Sequence, residues 1–264
     1  MTAGLLRIRS RDNPLFREVL ALAGSARERR RAGRSLIEGV HLCAAYLAAH
    51  GVPHRTVVTE RALAHAEVIT LLERYGVRPT VLAPELFTAL SSVEQGIGLA
   101  MVVDTPRPAM PAEIGADAVF LDRVQDPGNV GTLLRTAAAA GVRTLLTAPG
   151  TAWCWSPKVL RAGMGAHFHL SIHESVAWAT VLPRLRVPAT GTRAAGAPSL
   201  HDTDLRAPRL WVFGGEGDGV SAAVAETLTE WVGIPQSPAV ESLNVAAAAA
   251  VCLFEQRRQR AAAR

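Results

Sequence analysis

The stretch Leu121-Asp-Arg-Val-Gln-Asp-Pro-Gly-Asn-Val-Gly-Thr-Leu-Leu-Arg135 leads from an apolar segment, Ala118 to Leu121, through a turn and into a helix. Asp126-Pro-Gly-Asn129 has turn composition, and Gly131 lets backbone come close to a ligand. Asn129 stands where a helix cap would stand. Arg135 lies about a turn and a half into the Ala-rich helix Asn129–Ala140, which Gly141 closes. On such a helix an arginine is either paired structurally or aimed at an anion. An apolar strand feeding a helix in this way is the repeating unit of a parallel sheet covered on both faces, in which ligands sit at the carboxyl ends of strands.

Further along, the alternation continues. Strands are predicted at Thr144–Leu146, Phe168–Ile172, Val187–Thr190, Leu210–Phe213 and Trp231–Ile234. Helices are predicted at Lys158–Ala162, Val176–Leu185, Ser221–Leu228 and Val245–Arg260. Upstream, Thr105-Pro-Arg-Pro-Ala-Met-Pro111 reads as an extended linker, because proline restricts itself and its predecessor. Before it, strands Ser35–Glu38, Thr56–Thr59, Val77–Leu82 and Gly98–Val103 alternate with helices Pro14–Ala23, Val40–Ala49 and Ala62–Tyr75. The chain therefore reads as a smaller α/β domain over 1–104, a linker over 105–113 and a larger α/β domain over 114–264.

Composition narrows the function classes. The 264 residues are 49% hydrophobic and 19% charged, which supports buried cores and excludes general disorder. No apolar run is long enough to span a bilayer and the N-terminus lacks a signal-peptide stretch, so a soluble, cytoplasmic protein is expected. Three widely spaced cysteines, at 43, 154 and 252, exclude a disulfide framework. Net charge is +5, and of the 28 basic side chains only Lys158 is a lysine. Nine arginines against three acids fall within residues 1–34, with Arg29, Arg30, Arg31 and Arg34 the densest run. Arg257, Arg258, Arg260 and Arg264 form a second patch. Arginine suits bidentate phosphate contact, so the basic ends point to a polyanion, most simply RNA.

Two more loops follow strands in the larger domain. Trp211-Val-Phe-Gly-Gly-Glu-Gly-Asp-Gly-Val-Ser221 is rich in glycine but lacks the GxGxxG spacing of a dinucleotide site. It reads instead as a backbone that wraps an adenine or an amino-acid moiety. Gly233-Ile-Pro-Gln-Ser-Pro-Ala-Val-Glu-Ser-Leu-Asn244 leads into the last helix, and capping accounts for one of its polar residues only. His167, His169 and His173 would share one strand face, but no further ligand is spaced with them and no metal is expected.

In order, Asn129-Val-Gly131 with Arg135, then Phe213-Gly-Gly-Glu-Gly-Asp-Gly219, then Ile234-Pro235 with Glu241-Ser-Leu-Asn-Val245, resemble the three motifs of the SpoU/TrmH family of RNA 2′-O-ribose methyltransferases, within the SPOUT superfamily. Arg34-Ser-Leu-Ile-Glu-Gly39 and the helix after it resemble that family's N-terminal substrate-binding domain, which is similar to an RNA-binding ribosomal-protein fold. The resemblance implies a deep trefoil knot in the C-terminal domain, a homodimer with its active site near the subunit interface, and S-adenosylmethionine as cofactor. It implies Arg135 at the reacting hydroxyl, as base or as phosphate clamp, oriented by Asn129, Glu216, Ser242 and Asn244. Gly214, Gly215, Glu216, Gly219, Ile234 and Leu243 would hold the cofactor, with Thr190 and Gly191 at its rim. The extra N-terminal domain points to 23S ribosomal RNA as substrate; transfer RNA, or a non-catalytic RNA-binding or ribosome-assembly role, are the alternatives. Gln236, Pro238 and Ala246 depart from the family pattern around the cofactor loop.

Overall fold

The computed structural model describes residues 4–91, 93, 96–193 and 196–263. The chain divides into two compact units, Met1–Pro106 with Trp155–Phe168, and Arg107–Cys154 with His169–Arg264. The boundary at the linker thus comes with a second one not expected from the sequence, because a segment after residue 154 belongs to the first unit.

In the first unit, β1 (Arg7–Ile8), α1 (Pro14–Gly24), α2 (Ala26–Ala32), β2 (Arg34–Glu38), α3 (Val40–His50) and β3 (Arg55–Val58) precede α4 (Glu60–Leu63), α5 (Ala66–Arg74), β4 (Thr80–Leu82), α6 (Pro84–Leu90) and β5 (Leu99–Asp104). Among the described residues the sheet order is β1-β4-β3-β5-β2, with β5 antiparallel to β2 and β3. Asn13 caps α1, accepting from the Leu15 amide at 2.9 Å, and Pro14 supplies a preset φ at the first helical position. Phe16, Val19 and Leu22 of α1 and Leu86 and Leu90 of α6 close over Leu36, Val57, Leu82 and Val102 of the sheet. The helix expected over Ala62–Tyr75 is two helices broken at Ala64-His65. Ala62 and Val68 are both fully buried, yet six residues place them about 120° apart on one continuous helix, and the break re-phases them.

The second unit begins with β6 (Ala118–Asp122), α7 (Pro127–Ala140) and β7 (Thr144–Thr147). The chain then runs through α8 (Pro157–Gly163), which packs in the first unit, where the Ser35 hydroxyl donates to the Trp155 carbonyl at 2.8 Å. It continues with β8 (Ser171–His173), α9 (Trp178–Val181), β9 (Ala189–Thr192), β10 (Leu210–Gly214), α10 (Ala222–Ala225), β11 (Glu230–Val232) and α11 (Val245–Ala262). Among the described residues the sheet is wholly parallel in the order β11-β9-β10-β6-β7-β8. One face packs Phe120, Leu146 and Val212 against Val181 and Val224, with the Phe120 and Trp178 rings 5.0 Å apart. Trp211 instead donates its indole N–H to Gln256 of α11 at 2.8 Å.

Two local expectations change. Phe168–Ile172 is not one strand: Met164 and Gly165 take positive φ and turn the chain, residues 166–169 form a 3₁₀ turn, and β8 starts at Ser171. Phe168 packs edge-on against Tyr46, 5.3 Å away. Val176–Leu185 becomes α9 followed by a 3₁₀ turn, because Pro183 has no amide to continue an α-helix. The histidine row is dispersed as a result. His167 lies in the first unit's segment, buried 5.3 Å from the Trp155 ring, whereas exposed His169 and buried His173 belong to the second unit. Among the described residues no group of three or more His, Cys, Asp or Glu is placed to hold a metal.

Candidate active site

Open α/β sheets bind ligands beyond the carboxyl ends of their strands, here those of the neighbouring β9, β10 and β11. A cavity of about 600 Å³ lies there, floored by Gly214–Val220 after β10 and walled by Thr192-Arg193, Ile234, Gln236 and Glu241–Val245. The glycine-rich loop folds back on itself, with the Gly219 amide donating to the Gly215 carbonyl at 3.1 Å. A Cβ on Gly214 would stand 2.0 Å from the Gly219 carbonyl carbon, so only glycine fits that turn. Buried Asp122, at the end of β6, accepts from the Ser221 amide at 2.6 Å and ties the same loop to the central strand.

The three sequence loops meet through side chains. Asp126, not Asn129, caps α7: it accepts from the Asn129 amide at 2.7 Å, and the helix starts at Pro127. The Asn129 side chain is thereby released. It donates to Glu216 Oε1 at 2.7 Å and accepts from Asn244 Nδ2 at 3.0 Å. Asn244 also caps α11, accepting from the Ala246 and Ala247 amides at 2.9 and 3.3 Å. Motif residues 129, 216 and 244 thus form one hydrogen-bonded chain at the edge of the cavity. Ser242 lines the cavity, and Gln236 donates to the Glu241 carbonyl at 3.3 Å, bracing the third loop from within. Arg135 is exposed, and among the described residues its guanidinium has neither a hydrogen bond nor an ion pair.

Some expected site residues fall elsewhere. Gly214, Gly215, Glu216, Gly219, Ile234 and Leu243 line the cavity; Thr190 and Gly191 do not. The fully buried Thr190 hydroxyl donates to Glu230 at 2.9 Å and accepts from buried Arg209 at 3.2 Å, a load-sharing network inside the sheet. Gly191 seats the Trp231 ring, which a Cβ there would meet at 2.8 Å. Their successors, Thr192 and Arg193, reach the cavity. A cation directly after a strand's carboxyl end was the available signal for Arg193.

The basic runs are partly consumed by the fold. Arg29 is buried and donates to the Leu22 and Ala23 carbonyls at 2.6 and 2.9 Å, so it satisfies the end of α1 and is not available to RNA. Burial and the neighbouring Arg30 charge lower its pKa from the ordinary guanidinium value. Arg31 pairs with Glu28 at 2.5 Å, and Arg34 with Asp104 at 3.3 Å. Arg30 and Arg27 are exposed. In the tail, Arg258 pairs with Glu255 at 2.8 Å, Arg260 pairs with Asp117, and Arg257 donates to the Ala140 carbonyl at 3.4 Å. Arg264 lies outside the described residues. None of the three cysteines forms a disulfide and all are buried, and burial raises their thiols, Cys252 to about 12, which leaves none as a nucleophile at neutral pH.

Comparison with known proteins defines the class. Residues 117–254 match the SpoU rRNA Methylase family, and the chain belongs to that family. It is 33% identical to an uncharacterized tRNA/rRNA methyltransferase of Synechocystis sp., over all of this chain and 97% of the relative. It is 30% identical to the 23S rRNA (uridine(2479)-2′-O)-methyltransferase of Streptomyces viridochromogenes, over all of this chain and 96% of that one. The solved structure of the SpoU methyltransferase AviRb from Streptomyces viridochromogenes, in complex with AdoMet, superposes with a TM-score of 0.83 at 26% identity, covering 95% of this chain and all of that one. The mixed α/β fold with its parallel sheet is the SpoU methyltransferase fold.

The cavity fits the family's cofactor. Its volume lies in the range of small-molecule sites. The glycine cradle brings backbone N–H and C=O groups to the ligand, and Glu216, Asp218 and Glu241 in the lining suit a cationic sulfonium.

Proposed function

We propose that the chain methylates a ribose 2′-hydroxyl of 23S ribosomal RNA, using S-adenosylmethionine. The observation that carries this reading is the Glu216–Asn129–Asn244 chain, with Asn129 in the middle, which joins all three motif loops beside a cofactor-sized cavity. The Streptomyces viridochromogenes relative named for 23S ribosomal 2′-O-methylation, aligned along the whole chain, supports the substrate. When bound, the cofactor supplies a methyl group activated on its sulfonium. Asn129, Ser242 and Asn244 orient the ribose for in-line attack, which works only when the hydroxyl is held close to the methyl carbon. Arg135 stays protonated. It grips the target phosphate and stabilises the developing alkoxide, a role supported by its exposed guanidinium, which pairs with no acid among the described residues.

The first unit serves as the RNA-binding domain, with a ribosomal-protein-like fold, and the C-terminal unit carries the deep knot. The enzyme works in the cytoplasm as a homodimer. Val251 and Phe254, exposed on α11 beside Ala247, form an apolar stripe at helical spacing that supports self-association. Mapping of 2′-O-methylation across ribosomal and transfer RNA, in cells with and without the gene, tests the substrate. One 23S position losing its methyl group is expected; loss confined to transfer RNA, or no loss, overturns the assignment.

A further inference from the structure

Arg193 is the one cation among the described residues that line the cavity, against the carboxylates of Glu216, Asp218 and Glu241. Its guanidinium lies 4.0 Å from the centre of the Trp231 ring. Two contacts fix this pair. Trp231 is seated over Gly191, where any side chain would collide with the ring, and the Arg193 amide donates to the Val232 carbonyl at 3.1 Å. Stacking holds a guanidinium by its face and leaves the N–H groups on its edge directed outward for a planar anion. Among the described residues no carboxylate of the protein takes up that edge as an ion pair. We propose that Arg193, held over the Trp231 ring, binds the carboxylate of the cofactor's methionine portion.

The proposal rests on the cofactor reading above and deepens it. An RNA phosphate is the competing anion, but it would have to enter a cavity lined by three carboxylates. S-adenosylmethionine presents two cationic groups to those acids and a single carboxylate, and Arg193 is the matching charge. Neither Arg193 nor Trp231 belongs to the three motif loops, so this contact would be made from the strand ends beside them.

Calorimetric titration of the full-length protein without RNA provides the test, using S-adenosylmethionine and decarboxylated S-adenosylmethionine as probes. Arg193→Ala is expected to weaken the first roughly tenfold, as for loss of a charge-assisted contact, and to leave the second within about twofold. Arg193→Lys, which keeps the charge but loses the stacked fork, should fall between. Equal losses for both probes, or no loss for either, overturns the proposal. A wild-type protein that binds neither probe removes the cofactor reading itself and this contact with it. That result is distinguishable from failure of Arg193 alone, where the wild type binds both.

Discussion

Arg135 is either held by the fold or held out towards RNA, and its neighbours favour the second. It shares the exposed face of α7 with Gly128, Thr132 and Ala139, and no acid of the described residues pairs with it. Arg135→Ala should therefore leave the melting temperature and S-adenosylmethionine affinity nearly unchanged. Turnover should fall by about two or more orders of magnitude, the scale of losing a transition-state electrostatic group. Parallel losses of all three quantities on one purified variant would instead make the residue structural. At this scale the motifs made most of the site legible, because they sit on loops between strong strand and helix signals. What the sequence did not reveal was competition for roles. Asp126 takes the helix cap and frees Asn129, and Thr190 is drawn into a buried network with Arg209 and Glu230. Both outcomes depend on partners three to 40 residues away.

Whole helices explain where the basic runs go. α2 has no apolar stripe, so nothing in Ala26-Arg-Glu-Arg-Arg-Arg-Ala32 announces which arginine turns inward. It is Arg29, whose donation to two carbonyls at the end of α1 fixes the turn between the helices. Arg29→Ala should cost about 1–3 kcal/mol in chemical denaturation, the scale of leaving buried acceptors unpaired, with no change in the salt dependence of RNA binding. Arg27→Ala should do the reverse, lowering the log–log salt slope by somewhat under one unit. At the other end of the chain, Glu255 accepts from Arg258 and Gln259, which hold its carboxyl down at about 2. A carboxyl whose folded pKa is depressed stabilises the fold above its ordinary range, near 4.5, and loses that contribution as pH falls towards 2. Urea midpoints of the wild type and Glu255→Gln should differ at neutral pH and converge between pH 4.5 and 2. Parallel curves across that window would exclude the linkage.

At the scale of the molecule, the chain crosses between its two units more often than composition announces. The proline-rich linker is written locally, as three prolines in Thr105–Pro111, whereas the return at Trp155 is written only in packing. Its markers are the Ser35–Trp155 hydrogen bond, 120 residues apart in sequence, and the Tyr46–Phe168 ring pair. Trp155, Val159, Leu160 and Phe168 are all buried. Burying a large apolar side chain is worth roughly 1.5–3 kcal/mol, so removing this segment forfeits several kcal/mol from a domain whose total stability is of order 5–15 kcal/mol. A fragment of residues 1–106 alone should accordingly unfold without a sharp transition, or aggregate through the exposed face of β2. The same fragment joined by a flexible glycine-serine linker to residues 155–168 should melt cooperatively as a monomer. Leu160→Ala in the joined fragment should then lower its stability by about 2–5 kcal/mol, as for a buried leucine. Circular dichroism melts of the three chains decide the matter: if 1–106 alone unfolds at the same midpoint as the joined fragment, residues 155–168 are a passive connection rather than part of the first unit's core.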